Sequence, residues 1–193
     1  MTHPRAMLLR RSFLCAALMG ASSLFCHAQE GLRDTTLLII RHAEKPLVGD
    51  RLTPAGEARA QHYAAYFAPF VDPSGQNLTI DTIFAATDSK NSLRPRLTVE
   101  PLSTAIRKPI DTHFVEKKND DFVTELQKEP HGRVILISWR HGGIPELLTK
   151  LGADSTRLIG GEHWPDDVFN WVIELHYGHD GKLASQQLIH EPF

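Results

Sequence analysis

The chain has 193 residues, of which 41% are hydrophobic and 23% are charged, as in an ordinary soluble globular protein. This length is enough for one domain with a substantial core and too short for two full-sized domains. The formal net charge of −2 excludes a polybasic binder of nucleic acid or of a membrane surface. We therefore expect one folded domain and no nucleic-acid partner.

The N-terminal segment has the layout of a secretory signal peptide. Three arginines precede an apolar stretch at residues 12–25, and small residues then lead into the polar Gln29. The apolar stretch is too short for a comfortable membrane span. We predict a signal peptide at 1–28, cleavage near Ala28-Gln29, a domain at 29–193, and a secreted or periplasmic protein without stable membrane insertion. An uncleaved N-terminal anchor is the alternative.

Loss of this segment would change both the charge and the cysteine content of the protein. It removes three arginines and no acidic residue, so 18 basic residues would stand against 23 acidic ones, a formal charge of −5. It also removes Cys15 and Cys26, the only cysteines in the sequence. The remaining domain would have neither a disulfide nor a thiol nucleophile, and its stability would come from its hydrophobic core.

Apolar runs and helical segments alternate along the rest of the chain. In chain order, the patterns predict a strand at 35–40, a helix at 54–67, a strand at 80–86, a helix at 92–105, a weaker strand at 110–115, a helix from 119 to 127, a strand at 134–139, a helix at 144–151, and two strands at 168–177 and 182–189. The last two strands are joined by a hairpin-like turn. This alternation favours one three-layer α/β domain.

Two of the predicted strands end in the same dipeptide. The apolar run 37–40 leads into Arg41-His42, and the run 134–139 leads into Arg140-His141. In an open α/β sheet, ligands bind at the carboxyl ends of the strands because the loops there converge on one crevice. A histidine at that edge, beside a guanidinium, can act as a nucleophile toward an anionic substrate. A surface strand end explains one such dipeptide better, but its recurrence favours an anion site.

Four motifs follow one another between residues 35 and 151. They are Arg41-His42-Ala43-Glu44-Lys45 after a strand, the stretch 52–58 close behind it, Ala85-Ala86-Thr87 leading to Arg94 four residues before Thr98, and Arg140-His141-Gly142 after a strand. In this order and spacing they resemble the smaller branch of the histidine phosphatase superfamily. The resemblance implies the phosphoglycerate mutase-like fold, which is a three-layer αβα sandwich with a mostly parallel central sheet.

The resemblance also implies roles for the residues in these motifs. His42 would attack phosphorus and carry the phosphoryl group for a time, which splits one displacement into two. Arg41, Arg94 and His141 would surround the phosphate, since phosphoryl transfer depends on positioning and charge stabilisation. Arg96 is the competing choice for Arg94 if the register differs.

The general acid that protonates the leaving oxygen is the least defined part of this assignment. In the family it lies between the arginine and the second histidine, and no fixed motif marks it. Glu116, Asp120, Asp121 and Glu125 all qualify by position, and we assign the role to Asp121. A helix cap is the alternative explanation for Asp120 or Asp121. Glu44 is expected to hold the loop rather than to donate a proton.

Other residues near these motifs invite weaker assignments. Arg140 is expected at the surface or at the substrate rim, since the family does not generally require an arginine there. The Trp164-Pro165 segment is expected to be a loop anchored by a buried indole, with a place in the pocket wall as the alternative. His176 and His179 fit a strand end and an exposed turn better than a metal pair.

We expect a secreted or periplasmic phosphomonoester hydrolase of the histidine acid phosphatase type. It would act on a small phosphorylated substrate through a phosphohistidine at His42 and would need neither a metal nor another cofactor. The alternatives are a phosphoglycerate mutase-like phosphotransferase and a non-catalytic binder of phosphorylated ligands.

Overall fold

Eight strands and five α-helices make up the part of the chain that the computed structural model describes, which is Met1 and residues 31–193. Apart from Met1, the predicted signal peptide lies outside the described residues. The elements in chain order are β1 (Thr35–Arg41), α1 (Pro54–Tyr66), β2 (Phe70–Val71), β3 (Asn77–Leu78), β4 (Thr82–Ala85), α2 (Arg94–Ile106), β5 (Ile110–Asp111), α3 (Asn119–Lys128), β6 (Val134–Trp139), α4 (Ile144–Lys150), α5 (Ser155–Ile159), β7 (Trp171–Tyr177) and β8 (Leu183–His190).

Six of these strands form one sheet in the order β5-β4-β6-β1-β7-β8. The pairs β5·β4, β4·β6 and β6·β1 are parallel, whereas β1·β7 and β7·β8 are antiparallel. The strands β2 and β3 form a separate hairpin. The predicted mostly parallel central sheet is therefore confirmed.

The helices cover both faces of this sheet. Successive residues of a strand point to opposite faces, and each face has its own core cluster. Leu38 of β1 belongs to the cluster that contains Tyr63 of α1, and Leu37 belongs to the cluster that contains Phe122 of α3. The result is the predicted αβα sandwich.

The two strands that carry the Arg-His dipeptides lie side by side at the centre of the sheet. All residues of β1 and β6 are buried, as expected for parallel strands that are covered on both faces. Their parallel register pairs Arg41 with Trp139, so both strands end at the same edge. The following dipeptide residues, His42 and His141, therefore emerge close together.

Two predicted strands are longer than the observed ones, because backbone groups beyond the observed ends bond to loop residues or to side chains instead of continuing the pairing with a neighbouring strand. Residues 112–114 do not extend β5, because the carbonyl oxygens of Thr112 and Phe114 accept hydrogen bonds from Thr87. The strand β7 begins at Trp171 rather than at Val168, whose carbonyl oxygen accepts two side-chain hydrogen bonds. The hairpin β2–β3 and the short helix α5 were not predicted.

Within residues 31–193, none of the helices combines the length and the apolar character that a membrane crossing needs.

Candidate active site

The ends of β1 and β6 bring two imidazole rings together. The ring centroids of His42 and His141 are 5.9 Å apart, with the ring planes at 80°. The backbone nitrogen of His42 donates to the carbonyl oxygen of Trp139 at 2.9 Å, which extends the pairing of the two strands by one residue. The two histidines that the motifs single out therefore share one site.

His42 is held in one orientation and in one tautomer. The residue is 1% exposed, and its Nδ1 lies 2.8 Å from the carbonyl oxygen of Ala43. A carbonyl oxygen only accepts, so Nδ1 carries the proton and Nε2 keeps its lone pair. Burial lowers the pKa of His42 to about 3, and the positive charges of Arg41 and Arg94 act in the same direction. At neutral pH this ring is therefore uncharged, and the lone pair of Nε2 is not protonated.

Threonine and arginine side chains fix the loop that carries His42. The backbone nitrogen of Ala43 donates to Oγ1 of the fully buried Thr98 at 2.8 Å, and this hydroxyl donates to the carbonyl oxygen of Arg94 at 2.8 Å. The carboxylate of Glu44 forms a bidentate pair with Arg59, with the shortest contact at 2.9 Å. Glu44 thus holds the loop, in the way that the sequence suggested.

Arg41 is completely buried and only partly satisfied by the protein. Its Nη1 donates to the carbonyl oxygens of Pro165, Asp166 and Val168 at 2.9–3.0 Å, and its guanidinium lies 3.9 Å from the centre of the Phe169 ring. Its Nε and Nη2 are buried and have no hydrogen-bond partner among the described residues. Burial lowers the pKa of Arg41 to about 10, so it remains a cation at neutral pH with N–H groups available to an anion.

Arg94, rather than Arg96, belongs to this site. Arg94 donates to the carbonyl oxygens of Gly49 and Asn91 at 2.9 and 3.2 Å, and its buried Nε finds no partner in the described part of the chain. Burial and the neighbouring Arg140 lower the pKa of Arg94. Arg96 instead forms ion pairs with two acidic side chains on its own side of α2 and the preceding loop, Glu100 and Asp88.

His141 completes the set of groups around the anion site. Its Nε2 lies 3.2 Å from a carboxylate oxygen of Asp166, whereas its Nδ1 is buried without a partner within residues 31–193. Burial lowers the pKa of His141 to about 4, with a further contribution from the charges of Arg41 and Lys45. The free ring therefore starts uncharged, and a bound phosphate dianion would raise this pKa.

The structure separates the four candidates for the general acid. Asp121 lies in the first turn of α3 with a 66% exposed side chain, and its ion pair is with Lys118 at 3.7 Å. The inward face of this turn is taken by Phe122 and Val123, so Asp121 points away from the histidines. Asp120 pairs with Lys150, and the fourth candidate, Glu125, pairs with His131. The assignment to Asp121 does not fit this geometry.

Glu116 reaches the turn that carries His141. Its Oε2 lies 3.5 Å from Nη1 of Arg140, and a Cβ built on Gly143 would lie 2.6 Å from its Cγ. Gly143 has a φ of −93°, which any residue can adopt. A glycine is needed at this position because Glu116 approaches it closely. Glu116 is the candidate acid whose side chain contacts the catalytic edge of the sheet.

One residue of this edge, Asn119, was missed by sequence reasoning. Asn119 is 1% exposed, accepts a hydrogen bond from Trp139 Nε1 at 3.2 Å and donates to the carbonyl oxygen of Gly143 at 3.1 Å. It thereby ties the start of α3 to the turn after β6. The glycine pair at 142–143 was the available signal, since a glycine after a strand marks a close backbone approach.

Arg140 is half-buried, and it makes more contacts than a solvent-exposed surface arginine would. Its Nη2 donates to the carbonyl oxygens of Thr87 and Ser92 at 2.7 and 3.3 Å, and its Nη1 pairs with Glu116. It connects the loop after β4 to the loop that carries Glu116, at the rim of the site.

A cleft of about 440 Å³ opens beside His141. Trp164 is 3% exposed, and its Nε1 donates to the carbonyl oxygen of Val168 at 2.9 Å. The Trp164-Pro165 segment is thus both a loop with a buried indole and part of a pocket wall. The cleft is lined by His141, Gly142, Pro145, His163, Trp164, Pro165 and Asp166.

The structure gives His176 and His179 polar partners at a strand end and a turn. His176 Nδ1 lies 3.2 Å from the hydroxyl of Thr36, and His179 Nδ1 lies 3.1 Å from a carboxylate oxygen of Asp34. Among residues 31–193, no three His, Cys, Asp or Glu side chains are grouped as metal ligands would be.

The same architecture occurs in solved structures of phosphatases. SixA, a protein histidine phosphatase solved in complex with tungstate, superposes with a TM-score of 0.51 at 15% identity, over 79% of this chain and 96% of that one. A phosphoserine phosphatase mutant from Entamoeba histolytica, in complex with phosphoserine, superposes with a TM-score of 0.53 at 14% sequence identity, over 79% of this chain and 96% of that one. The alpha-ribazole phosphatase from Shigella flexneri superposes with a TM-score of 0.54 at 12% sequence identity, over 82% of this chain and 96% of that one.

The fold is that of the histidine phosphatases. The sequence itself matches no family model and no curated protein. At identities of 12–15% the likeness establishes the histidine phosphatase fold and leaves the reaction to be argued from the site. The site consists of two uncharged imidazoles and two guanidiniums with free N–H groups, which is an arrangement suited to holding a phosphate and attacking its phosphorus.

Proposed function

We propose that the protein is a phosphomonoester hydrolase that forms a phosphohistidine at His42. The observation that carries the proposal is the state of this ring: buried, uncharged, and with Nδ1 committed to the carbonyl oxygen of Ala43. Only Nε2 is left to react. Arg41 and Arg94 are close enough to shift the pKa of His42, and each has N–H groups without a partner among residues 31–193.

In the first step, Nε2 of His42 attacks phosphorus and the bond from phosphorus to the ester oxygen breaks. The Nε and Nη2 groups of Arg41, Nε of Arg94 and Nδ1 of His141 donate to the non-bridging oxygens once His141 takes up a proton. The leaving oxygen receives a proton from a general acid, for which we propose Glu116 because it contacts the turn after His141.

In the second step, water attacks the phosphorus of the phosphohistidine. The Glu116 carboxylate accepts a proton from this water, the N–P bond breaks, and inorganic phosphate leaves. The net reaction consumes one water and one phosphate ester and returns His42 and Glu116 to their starting states. Because guanidiniums supply the positive charge, we propose that the reaction needs no metal ion.

Hydrolysis fits the site better than a mutase reaction. A mutase has to retain its phosphorylated intermediate while this molecule reorients, which favours a closed pocket, whereas the cleft beside His141 is open. The similar structures include a phosphoserine phosphatase and an alpha-ribazole phosphatase. Their substrates share little beyond the phosphate ester, and we propose that this chain acts on the same class. We also propose that it acts outside the cytoplasm, on the basis of the signal-peptide pattern in residues 1–28.

The test is an assay of the purified protein against a panel of phosphate esters, with and without a chelator. His42→Ala and His141→Ala should abolish turnover, and Arg94→Ala should raise KM strongly. The matched control is His179→Ala, since this exposed histidine lies outside the site. A wild-type protein that binds phosphate but hydrolyses no ester would establish the non-catalytic binder instead. Loss of all turnover on chelation would reject the metal-free mechanism.

A further inference from the structure

The loop between β1 and α1 presents two apolar side chains to solvent. Leu47 and Val48 are 106% and 89% exposed, which makes them the most exposed large apolar residues within 31–193. Single exposed apolar residues are common on protein surfaces, but a fully exposed adjacent pair is not part of any core. Gly49 follows the pair with a φ of 117°, a conformation that favours glycine, and Pro46 precedes it. The local sequence therefore builds a tip.

This tip belongs to the mouth of the candidate active site. The carbonyl oxygen of Gly49 accepts a hydrogen bond from Arg94 at 2.9 Å, and that of Asp50 accepts one from Leu93 at 2.9 Å. The start of the same loop carries the nucleophile His42. Val48 directly precedes Gly49, so the apolar pair lies next to the residue that the phosphate-binding candidate Arg94 contacts.

Cationic residues flank the pair. Lys45 and Arg51 are exposed on either side of it, and Lys45 is close enough to lower the pKa of His141. Lys90, also exposed, lies in the loop after β4 that binds Arg94. Of the nearby acidic residues, Glu44 pairs with Arg59 and Asp50 lies near Arg94, while Asp166 and Asp167 belong to a different segment that precedes β7. The protein is not polybasic as a whole, but an apolar tip with cations beside it can bind a lipid locally: the apolar side chains enter the acyl region, and the lysines and arginine meet the headgroups.

We propose that Leu47 and Val48 bind the hydrocarbon part of a lipid phosphomonoester at a membrane surface, and that such lipids are the preferred substrates. The inference rests on the proposed phosphatase activity. The terminal phosphate would enter between His42, His141 and the arginines, while the chain of the same molecule, or the surrounding bilayer, covers the apolar tip. Burial of a leucine or a valine changes an equilibrium by roughly tenfold, so the pair is sufficient to create a marked preference.

The experiment compares a soluble and a lipid substrate of the same chemistry. Butyl phosphate is the soluble phosphomonoester, and phosphatidic acid in phosphatidylcholine vesicles is the lipid one. The double variant Leu47→Ser, Val48→Ser should lose about tenfold or more in kcat/KM toward phosphatidic acid, with turnover of butyl phosphate changed by less than about twofold. Val71→Ser is the matched control, because Val71 is 55% exposed on the separate β2–β3 hairpin.

Each outcome decides between the possibilities. If the protein hydrolyses neither ester, the phosphatase proposal itself is contradicted. Hydrolysis of butyl phosphate with no advantage for phosphatidic acid overturns the lipid inference alone. A double variant that loses both activities shows that the loop only supports the site, and an equal loss in Val71→Ser shows a non-specific effect; both results overturn the inference.

Discussion

His42 and His141 meet edge to face, with 5.9 Å between their ring centroids and 80° between their planes. They come from dipeptides about a hundred residues apart, which the parallel pairing of two buried strands brings to one edge of the sheet. Nδ1 of His42 is committed to the loop and Nδ1 of His141 has no partner in the described structure. The chemistry of the site therefore depends on one free nitrogen from each ring.

Glu116→Gln should separate proton donation from phosphate binding. Its amide keeps the size of the side chain but cannot protonate a leaving oxygen. We expect kcat for butyl phosphate to fall by about 10²-fold or more. The loss should be much smaller for p-nitrophenyl phosphate, whose leaving group is stable as an anion. Steady-state kinetics with both esters measures the difference.

Asp121→Asn is the matched control for this substitution, since Asp121 is exposed on α3. It should leave both substrates unaffected. If Asp121→Asn reproduces the leaving-group dependence and Glu116→Gln does not, the sequence-based choice of acid is right and the geometry has been misread.

Gly143→Ala should damage the site although alanine is compatible with the local backbone. The new Cβ would lie 2.6 Å from Cγ of Glu116 and 3.1 Å from Nε1 of Trp139, so Glu116 has to move. We expect a stability loss of about 1–3 kcal/mol together with a lower kcat for alkyl esters.

Gly142→Ala is its neighbour and control, because the nearest contact of its Cβ is an ordinary 3.5 Å. Its stability should change by no more than about 0.5 kcal/mol. Urea unfolding of both variants measures this. Equal effects of the two substitutions would argue against a tight contact between Glu116 and the turn.

Arg59→Leu should be strongly destabilising because it isolates a buried carboxylate. Arg59 pairs with Glu44 at 2.9 Å and with Glu191 at 2.8 Å, and the side chain of Glu191 has no exposure to solvent. The expected loss is about 3 kcal/mol. Arg96→Leu removes two more exposed ion pairs on α2 and should cost about 1 kcal/mol or less. Equal losses in urea unfolding would show that burial of the Glu191 carboxylate is irrelevant.

His42 should make the folded state less stable at acid pH. Its pKa is lowered by burial from 6.5 to about 3, so between these values the unfolded chain binds a proton that the folded protein does not. Stability is then lost as the pH falls below 6.5, by about 2 kcal/mol between pH 7 and pH 5.

Glu191 acts with the opposite sign, because burial raises its pKa to about 7 and the folded protein binds the proton first. The comparison of wild type with His42→Gln isolates the histidine. From pH 7 to pH 5, the wild type should lose stability relative to the variant. Identical pH profiles in urea unfolding would show that the ring of His42 is not held uncharged.

Local patterns predicted the parts of the site that lie at strand ends. Unbroken apolar runs identify β1 and β6 as central strands, and the order of a parallel sheet then places His42 beside His141. The positions of the two histidines depend on the backbone topology, which periodicity can reveal. Arg94, the first residue of α2, came instead from the resemblance to the histidine phosphatases, through its position four residues before Thr98.

The choice among the candidate general acids could not be made in this way. Glu116 and Asp121 are both acidic residues near a helix start, and only packing decides between them: Phe122 and Val123 turn Asp121 outward, while Gly143 leaves room for Glu116. The three hydrogen bonds that hold Arg41 could not be predicted from the sequence either, because their acceptors are backbone carbonyl oxygens at 165–168, more than a hundred residues away.

The most direct test of the central claim is to trap the phosphorylated protein. A radiolabelled phosphate ester is mixed with the enzyme, the reaction is stopped with denaturant at alkaline pH within one turnover, and the labelled peptide is sequenced. The account predicts a phosphoramidate that is stable to base and labile to acid, located on Nε2 of His42 and absent from His42→Ala. Rapid turnover with no label on His42, or with the label on another residue, would contradict it.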